Sequence, residues 1–140
     1  MSDRCFVDTN ILVYAHQGST GSKHQRARAL VEDLWHSGLG VLSTQVLQEL
    51  CVNLRRKLNP PLAAEEVRQL LHDYMRWKVI VNTAESVADA LELELRYKIS
   101  FWDALVLHSA KSAGVSIMYS EDFAAGRKYD GIEIVNPFVS

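Results

Sequence analysis

The sequence predicts an α/β fold, a parallel sheet buried between layers of helices. Three observations carry this. Short apolar runs alternate with longer amphipathic segments from end to end. Strands separated by helices pair in parallel, because a parallel pair needs a crossover that a hairpin turn cannot supply. Composition agrees: 48% of the 140 residues are hydrophobic and 23% charged, enough apolar mass to bury a sheet and too little charge for a disordered chain. At this length a single domain over residues 1–140 is expected.

Each element has a local reason. CFVD, residues 5–8, is the first strand. GSTGSKH, residues 18–24, lacks the spacing of a phosphate loop and reads as a flexible loop, with Ser22 capping the helix behind it. That helix, residues 22–38, sets Ala27, Leu30, Val31, Leu34 and Trp35 at i, i+3, i+4, i+7 and i+8 and stops at Gly38. GVLS, residues 40–43, is a second strand. Residues 44–58 put Val46, Leu47, Leu50, Cys51, Leu54 and Leu58 on one helical face, ended by Asn59-Pro60-Pro61.

A helix with Val67, Leu70, Leu71, Tyr74 and Met75 on one face follows, then the strand KVIV at 78–81. Residues 84–98 are expected to bury Val87, Ala88, Leu91 and Leu95. Ser100 is a good cap for the helix 101–114. SIMYS at 116–120 and IEIV at 132–135, after the Asp130-Gly131 turn signal, complete five strands. Cys5 and Cys51 read as small buried hydrophobes rather than a disulfide framework. No apolar run approaches the ~20 residues of a membrane helix, and MSDRCFVDTN is too acidic for a signal peptide. A cytoplasmic protein without a membrane partner is expected.

Four acids belong to one edge of this sheet. In a parallel sheet the C-terminal strand ends and the first turns of the following helices share an edge, where ligands bind at a switch point. Asp8 follows the first strand and Asp122 the fourth, Asp103 lies three residues past Ser100, and Glu49 lies six past Ser43. Each has an ordinary explanation. Asp8 could cap a helix, Asp103 could complete an S-x-x-D box, Glu49 could be a solvated helix acid and Asp122 a loop acid. Four at one edge repel and raise each other's pKa unless a cation neutralises them. Carboxylate oxygens suit Mg²⁺ or Mn²⁺, partly hydrated and completed by phosphate oxygens. Zinc spacing, a G-x-S-x-G elbow and a G-x-G-x-x-G turn are all absent from the sequence.

DTNILVYA, the mid-chain LQEL, SFWDALVLHSA and the closing YSEDFAAGRKYDGIEIVNPF, in that order, resemble the PIN-domain ribonucleases. Among these the likeness is to VapC-type toxins of bacterial type II toxin–antitoxin pairs, and it spans nearly the whole chain. It implies a five-stranded parallel sheet in the order 3-2-1-4-5. It implies Asp8 and Asp103 as principal metal ligands. Glu49 and Asp122 would bind metal directly, through water, or by positioning the attacking water. Ser120 matches a supporting hydroxyl and Asn10 a polar residue beside the first Asp. Ala124-Ala125, where relatives often carry longer polar residues, is a departure that bears on substrate contacts rather than on the metal.

The resemblance therefore implies a Mg²⁺-dependent endoribonuclease, with Mn²⁺ able to substitute, hydrolysing RNA to 5′-phosphate and 3′-hydroxyl ends. It also implies a homodimer and a cognate antitoxin, for which segments 22–37 and 62–76 could supply the groove. The net charge of −2 becomes +2 once the four acids are set aside, with 15 basic residues against 13 acidic. RNA contact could then rest on Arg55-Arg56-Lys57, on Lys23, His24, Arg26 and Arg28, or on Arg127-Lys128. Trp102 could stack a base or simply pack. The other readings are a housekeeping RNA-processing nuclease, a PIN scaffold that binds without cutting, and a phosphoacceptor signalling domain. The last lacks the lysine expected near its end.

Overall fold

Phe6, Val7, Val41, Leu42 and Met118 have no solvent exposure, because their strands lie mid-sheet with helices on both faces. The computed structural model describes residues 3–139. Strand β1 (Cys5–Val7) is central, flanked by β2 (Gly40–Ser43) and then β3 (Lys78–Ile80) on one side. On the other lie β4 (Ile117–Tyr119), the hairpin strand β6 (Ile132–Val135) and its partner β5 (Lys128–Tyr129). All neighbours pair in parallel except β5 with β6. The five strands anticipated from sequence keep their order. The correction is a sixth, a two-residue strand that turns back at Asp130-Gly131, too short to leave a period in the sequence.

Helices α2 (Ser22–Ser37), α3 (Thr44–Arg56), α4 (Ala64–Tyr74), α5 (Ala84–Tyr97) and α6 (Phe101–Ser112) stand where the periodicity put them. Helix α1 (Thr9–His16) follows β1 at once; it is the helix that Asp8 could cap, and no period in the sequence marks it out. Its Ile11, Leu12 and Ala15 are buried while Val13 and Tyr14 pack on the core, so it has little polar face to reveal a helical period. Residues 18–20 of the expected flexible loop form a 3₁₀ turn, and the cap of α2 is Gly21 at φ 63°, not Ser22, which is already helical. A left-handed backbone at this join favours glycine over serine.

Burial corrects three further expectations. Cys5 and Cys51 are free and only half-buried. Trp35 and Met75 lie at the solvent edge of their helices. In α5 the inward residues are Ser86, Ala90 and Leu93, while Val87, Leu91 and Leu95 are 53%, 50% and 71% exposed and Ala88 is exposed as well. Helix α5 packs along α6, and its small residues let the two helices approach. The larger apolar residues are left facing outward.

Two clusters fix the periphery. Tyr74 and Trp77 pack with Trp35 at ring separations of 5.4–5.6 Å, and Tyr74 OH shares a 2.8 Å hydrogen bond with His16 Nε2. At the other side Asp130 accepts from Arg96 Nη1 at 2.9 Å, from Lys111 Nζ at 2.9 Å and from Tyr97 OH, tying the β5–β6 hairpin to α5 and α6. The Tyr97 hydroxyl, then Lys111 and Arg96, hold the Asp130 carboxyl down at about 2. A depressed carboxyl stabilises the fold above the unfolded pKa near 4, and that stability is lost as pH falls toward 2. Asp130→Asn is expected to cost about 1–2 kcal/mol at pH 7 and clearly less at pH 2, where the carboxyl is about half protonated. Thermal melts at both pH values check this.

Candidate functional site

The site is built where β1 and β4 end side by side. The Asp8 N–H donates to Tyr119 O at 2.9 Å, which fixes the residue at the seam of these strands. Its side chain then does two things. Oδ1 accepts the Thr9 N–H at 2.7 Å, so Asp8 is the N-cap of α1. Oδ2 accepts the Ser120 hydroxyl at 2.7 Å. The cap reading of Asp8 is correct, and it occupies one oxygen only, leaving the other to Ser120 at the cleft.

Asp8 is 4% exposed, and burial raises its pKa to about 7. The bonds from Ser120 and Thr9 pull it down, and the charges of Asp122 and Glu49 push it further up. Ser120 is fully buried and its Oγ also accepts the Asp122 N–H at 3.1 Å. One hydroxyl thus connects two of the acids.

Glu49 comes from α3, whose start is fixed by Ser43 Oγ accepting the Val46 N–H at 3.2 Å. Its Oε1 accepts from Thr9 Oγ1 at 2.7 Å and its Oε2 from Gln45 Nε2 at 3.5 Å. Asp103 sits in the first turn of α6, where Ser100 Oγ accepts its N–H at 3.1 Å. Burial raises the Asp103 pKa, the Ser100 bond opposes this, and Asp122 and Glu49 add to the rise. Asn10 Oδ1 accepts the Glu121 N–H at 3.3 Å, orienting the loop that carries Asp122. Tyr14 OH donates to Glu121 at 2.8 Å and Lys23 pairs with it, so Glu121 belongs to a clamp on that loop.

Asp8, Glu49, Asp103 and Asp122 line one cleft of about 480 Å³, with Asn10 beside them and Ser120 behind Asp8. All six residues singled out from the sequence therefore meet. Sequence reasoning missed two. Thr9 is buried and holds Glu49; it stands inside Asp-Thr-Asn, where only the flanking residues drew notice. Gln45 is 4% exposed and donates to Trp102 O at 3.1 Å as well as to Glu49. Its signal was the i, i+4 spacing to Glu49, which puts both on one helical face.

The donor set fits a hard divalent cation. Among the described residues no three His, Cys, Asp or Glu side chains form a ready-made metal cage. Mg²⁺ does not need one, since it keeps several waters and takes one or two carboxylates together with substrate oxygens. Burial first, and then the charges of Asp122 and Glu49, disfavour the ionised forms of Asp8 and Asp103, and a cation would offset both. Thr9→Val keeps the shape and removes the donor to Glu49. Outer partners of metal ligands typically matter 10–100-fold, so, should Glu49 act as one, a loss of metal affinity of about tenfold is expected, read by Mn²⁺ titration. An unchanged affinity would mean that Glu49 needs no anchoring.

The PIN domain family model matches residues 5–130, a span holding all four acids. Among solved structures, the chain is similar to VapC20 of Mycobacterium tuberculosis, a toxin that cleaves the sarcin–ricin loop. Identity there is 22%, covering 84% of this chain and 91% of that one, with a TM-score of 0.65. It is similar to a toxin–antitoxin complex from Klebsiella pneumoniae at 16% identity over 96% and 98% of the two chains, TM-score 0.69. DNA-bound VapBC from Salmonella typhimurium aligns at 18% identity over 96% and 97%, TM-score 0.65. Among curated proteins no relative matches. At such identities the structural likeness carries the fold.

Proposed function

Because the chain belongs to the PIN domain family, we propose that it is a Mg²⁺-dependent endoribonuclease acting as the toxin of a VapBC-type pair. The observation that carries this reading is the meeting of Asp8, Glu49, Asp103 and Asp122 in one cleft at the sheet's switch point. When bound there, a divalent cation supplies Lewis acidity to water and charge stabilisation at the scissile phosphate. Asp8 and Asp103 would hold it, and Glu49 and Asp122 complete its shell or hold the attacking water. Mn²⁺ would substitute for Mg²⁺.

The chain's own residues prepare the site. Ser120 keeps one Asp8 oxygen turned inward and draws the Asp122 backbone toward it. Thr9 and Gln45 keep Glu49 from swinging to solvent. In the proposed hydrolysis water adds to phosphorus opposite the P–O3′ bond, that bond breaks, and O3′ leaves and takes up a proton, so products carry 5′-phosphate and 3′-hydroxyl ends and the 2′-hydroxyl is spared.

Partners follow from what is left uncovered. The exposed Val87, Leu91 and Leu95 recur at i, i+4 and i+8 on α5, an apolar stripe on which a second copy could pair. Trp35, 36% exposed, packs on the buried Tyr74, one from each of the two segments assigned to an antitoxin groove. Among the described residues no helix is long and apolar enough to cross a membrane, in keeping with a toxin that meets RNA in the cytoplasm. Expression of the chain alone should arrest growth. Relief by Asp8→Ala and by the small open reading frame beside its gene is the expected pattern. Unimpeded growth would point to housekeeping RNA processing.

A further inference from the structure

The acidic cleft does not end at the acids. Its lining continues along α3 through Gln48, Val52 and Asn53 to Lys57 just past the helix end, and from Gln45 to Lys57 that face runs ~18 Å at ~1.5 Å per residue. Opposite stands Trp102, 63% exposed, the most exposed of the chain's three tryptophans. Its edge-to-face contact with Phe101, at 5.2 Å and 80°, leaves indole surface open. Its backbone is fixed, because the buried Gln45 donates to Trp102 O.

We propose that Trp102 and Val52 form a stacking platform for an unpaired nucleobase of single-stranded RNA, the nucleotide next to the phosphate held at Asp8 and Asp103. This rests on the nuclease reading above. The chemistry of the wall matches a base: indole and valine for its faces, the Gln48 and Asn53 amides for its edges, and Lys57 for a phosphate further along. Trp102 and Asp103 are consecutive, so a base on the first belongs to a nucleotide at the second. A protein partner fits less well, because Trp102 lines the same cleft as the acids, while the exposed apolar stripe on α5 contributes nothing to that cleft.

The test is binding of a short labelled single-stranded RNA with Mg²⁺ in an Asp8→Asn background, which blocks turnover. Base–aromatic stacking predicts that Trp102→Ala weakens binding by about 5- to 100-fold, with Trp102→Phe retaining most of the affinity. An abasic oligomer of equal length and charge should bind all three proteins alike. Equal RNA binding by Trp102→Ala would overturn the proposal, as would an equal loss with the abasic oligomer. A change in sedimentation mass in Trp102→Ala would instead make the indole a protein contact. Failure of the nuclease reading shows separately, as absence of cleavage by the wild-type chain, and leaves the binding comparison decisive for the platform.

Discussion

Asp8→Asn is expected to make the metal-free protein more stable at pH 8 while cutting RNA cleavage by more than about 100-fold. The stability gain follows from sign. The folded pKa of Asp8 is raised from 3.8 to about 7, so between these values the unfolded chain gives up a proton that the fold keeps. Stability therefore falls as pH rises from about 4 to about 7 and is level above that. For a buried group the full change is on the order of 4 kcal/mol, which in a chain of this size is on the order of 10 °C in Tm.

Asparagine carries no charge to desolvate. Its Oδ1 can still accept the Thr9 N–H, and the Ser120 hydroxyl can rotate to accept from Nδ2. In EDTA, wild type should lose Tm between pH 5 and pH 8 and regain it with Mg²⁺, while the variant does neither. A variant less stable than wild type at pH 8 in EDTA would show that the Asp8 charge is not under strain.

Gly40→Ala should be the most damaging single-methyl change outside the site. Gly40 is the buried first residue of β2, and an added Cβ would collide with the Cε3 and Cζ3 atoms of Trp77. Trp77 cannot simply yield, because it packs between Trp35 and Tyr74. Overpacking of this kind costs about 1–3 kcal/mol, or roughly 4–10 °C in Tm. Shrinking the ring should relieve it: Gly40→Ala with Trp77→Leu is expected to be less destabilised than the two single losses added together, by about 1 kcal/mol or more. Strict additivity would mean that the indole moves aside without cost.

The acids were legible because their positions depend only on strand and helix ends. Asp8, Asp103 and Asp122 follow a strand or a cap signal directly, and Glu49 needs one extra helical turn, so the sheet edge gathers them without knowledge of packing. What stayed hidden depends on which faces meet. Ala90 and Leu93 rather than Leu91 and Leu95 turn inward, a choice set by how closely α5 lies on α6, and an apolar stripe reads the same whether it meets the core or another chain. Helix α1 was obscured for the opposite reason, being apolar on most sides. Gln45 is a polar helix residue that no apolar period marks as buried; its amide donates to Trp102 O, 57 residues away.

Cleavage of RNA with a divalent ion in this acidic cleft, as proposed above, can be tested directly. The measurement is cleavage of a mixed RNA pool by the protein freed of any bound partner, with Mg²⁺, with EDTA, and as Asp8→Ala and Asp103→Ala. Cuts bearing 5′-phosphates that need Mg²⁺ and vanish in both variants are expected. Cleavage that persists in EDTA or in either variant would contradict the proposal.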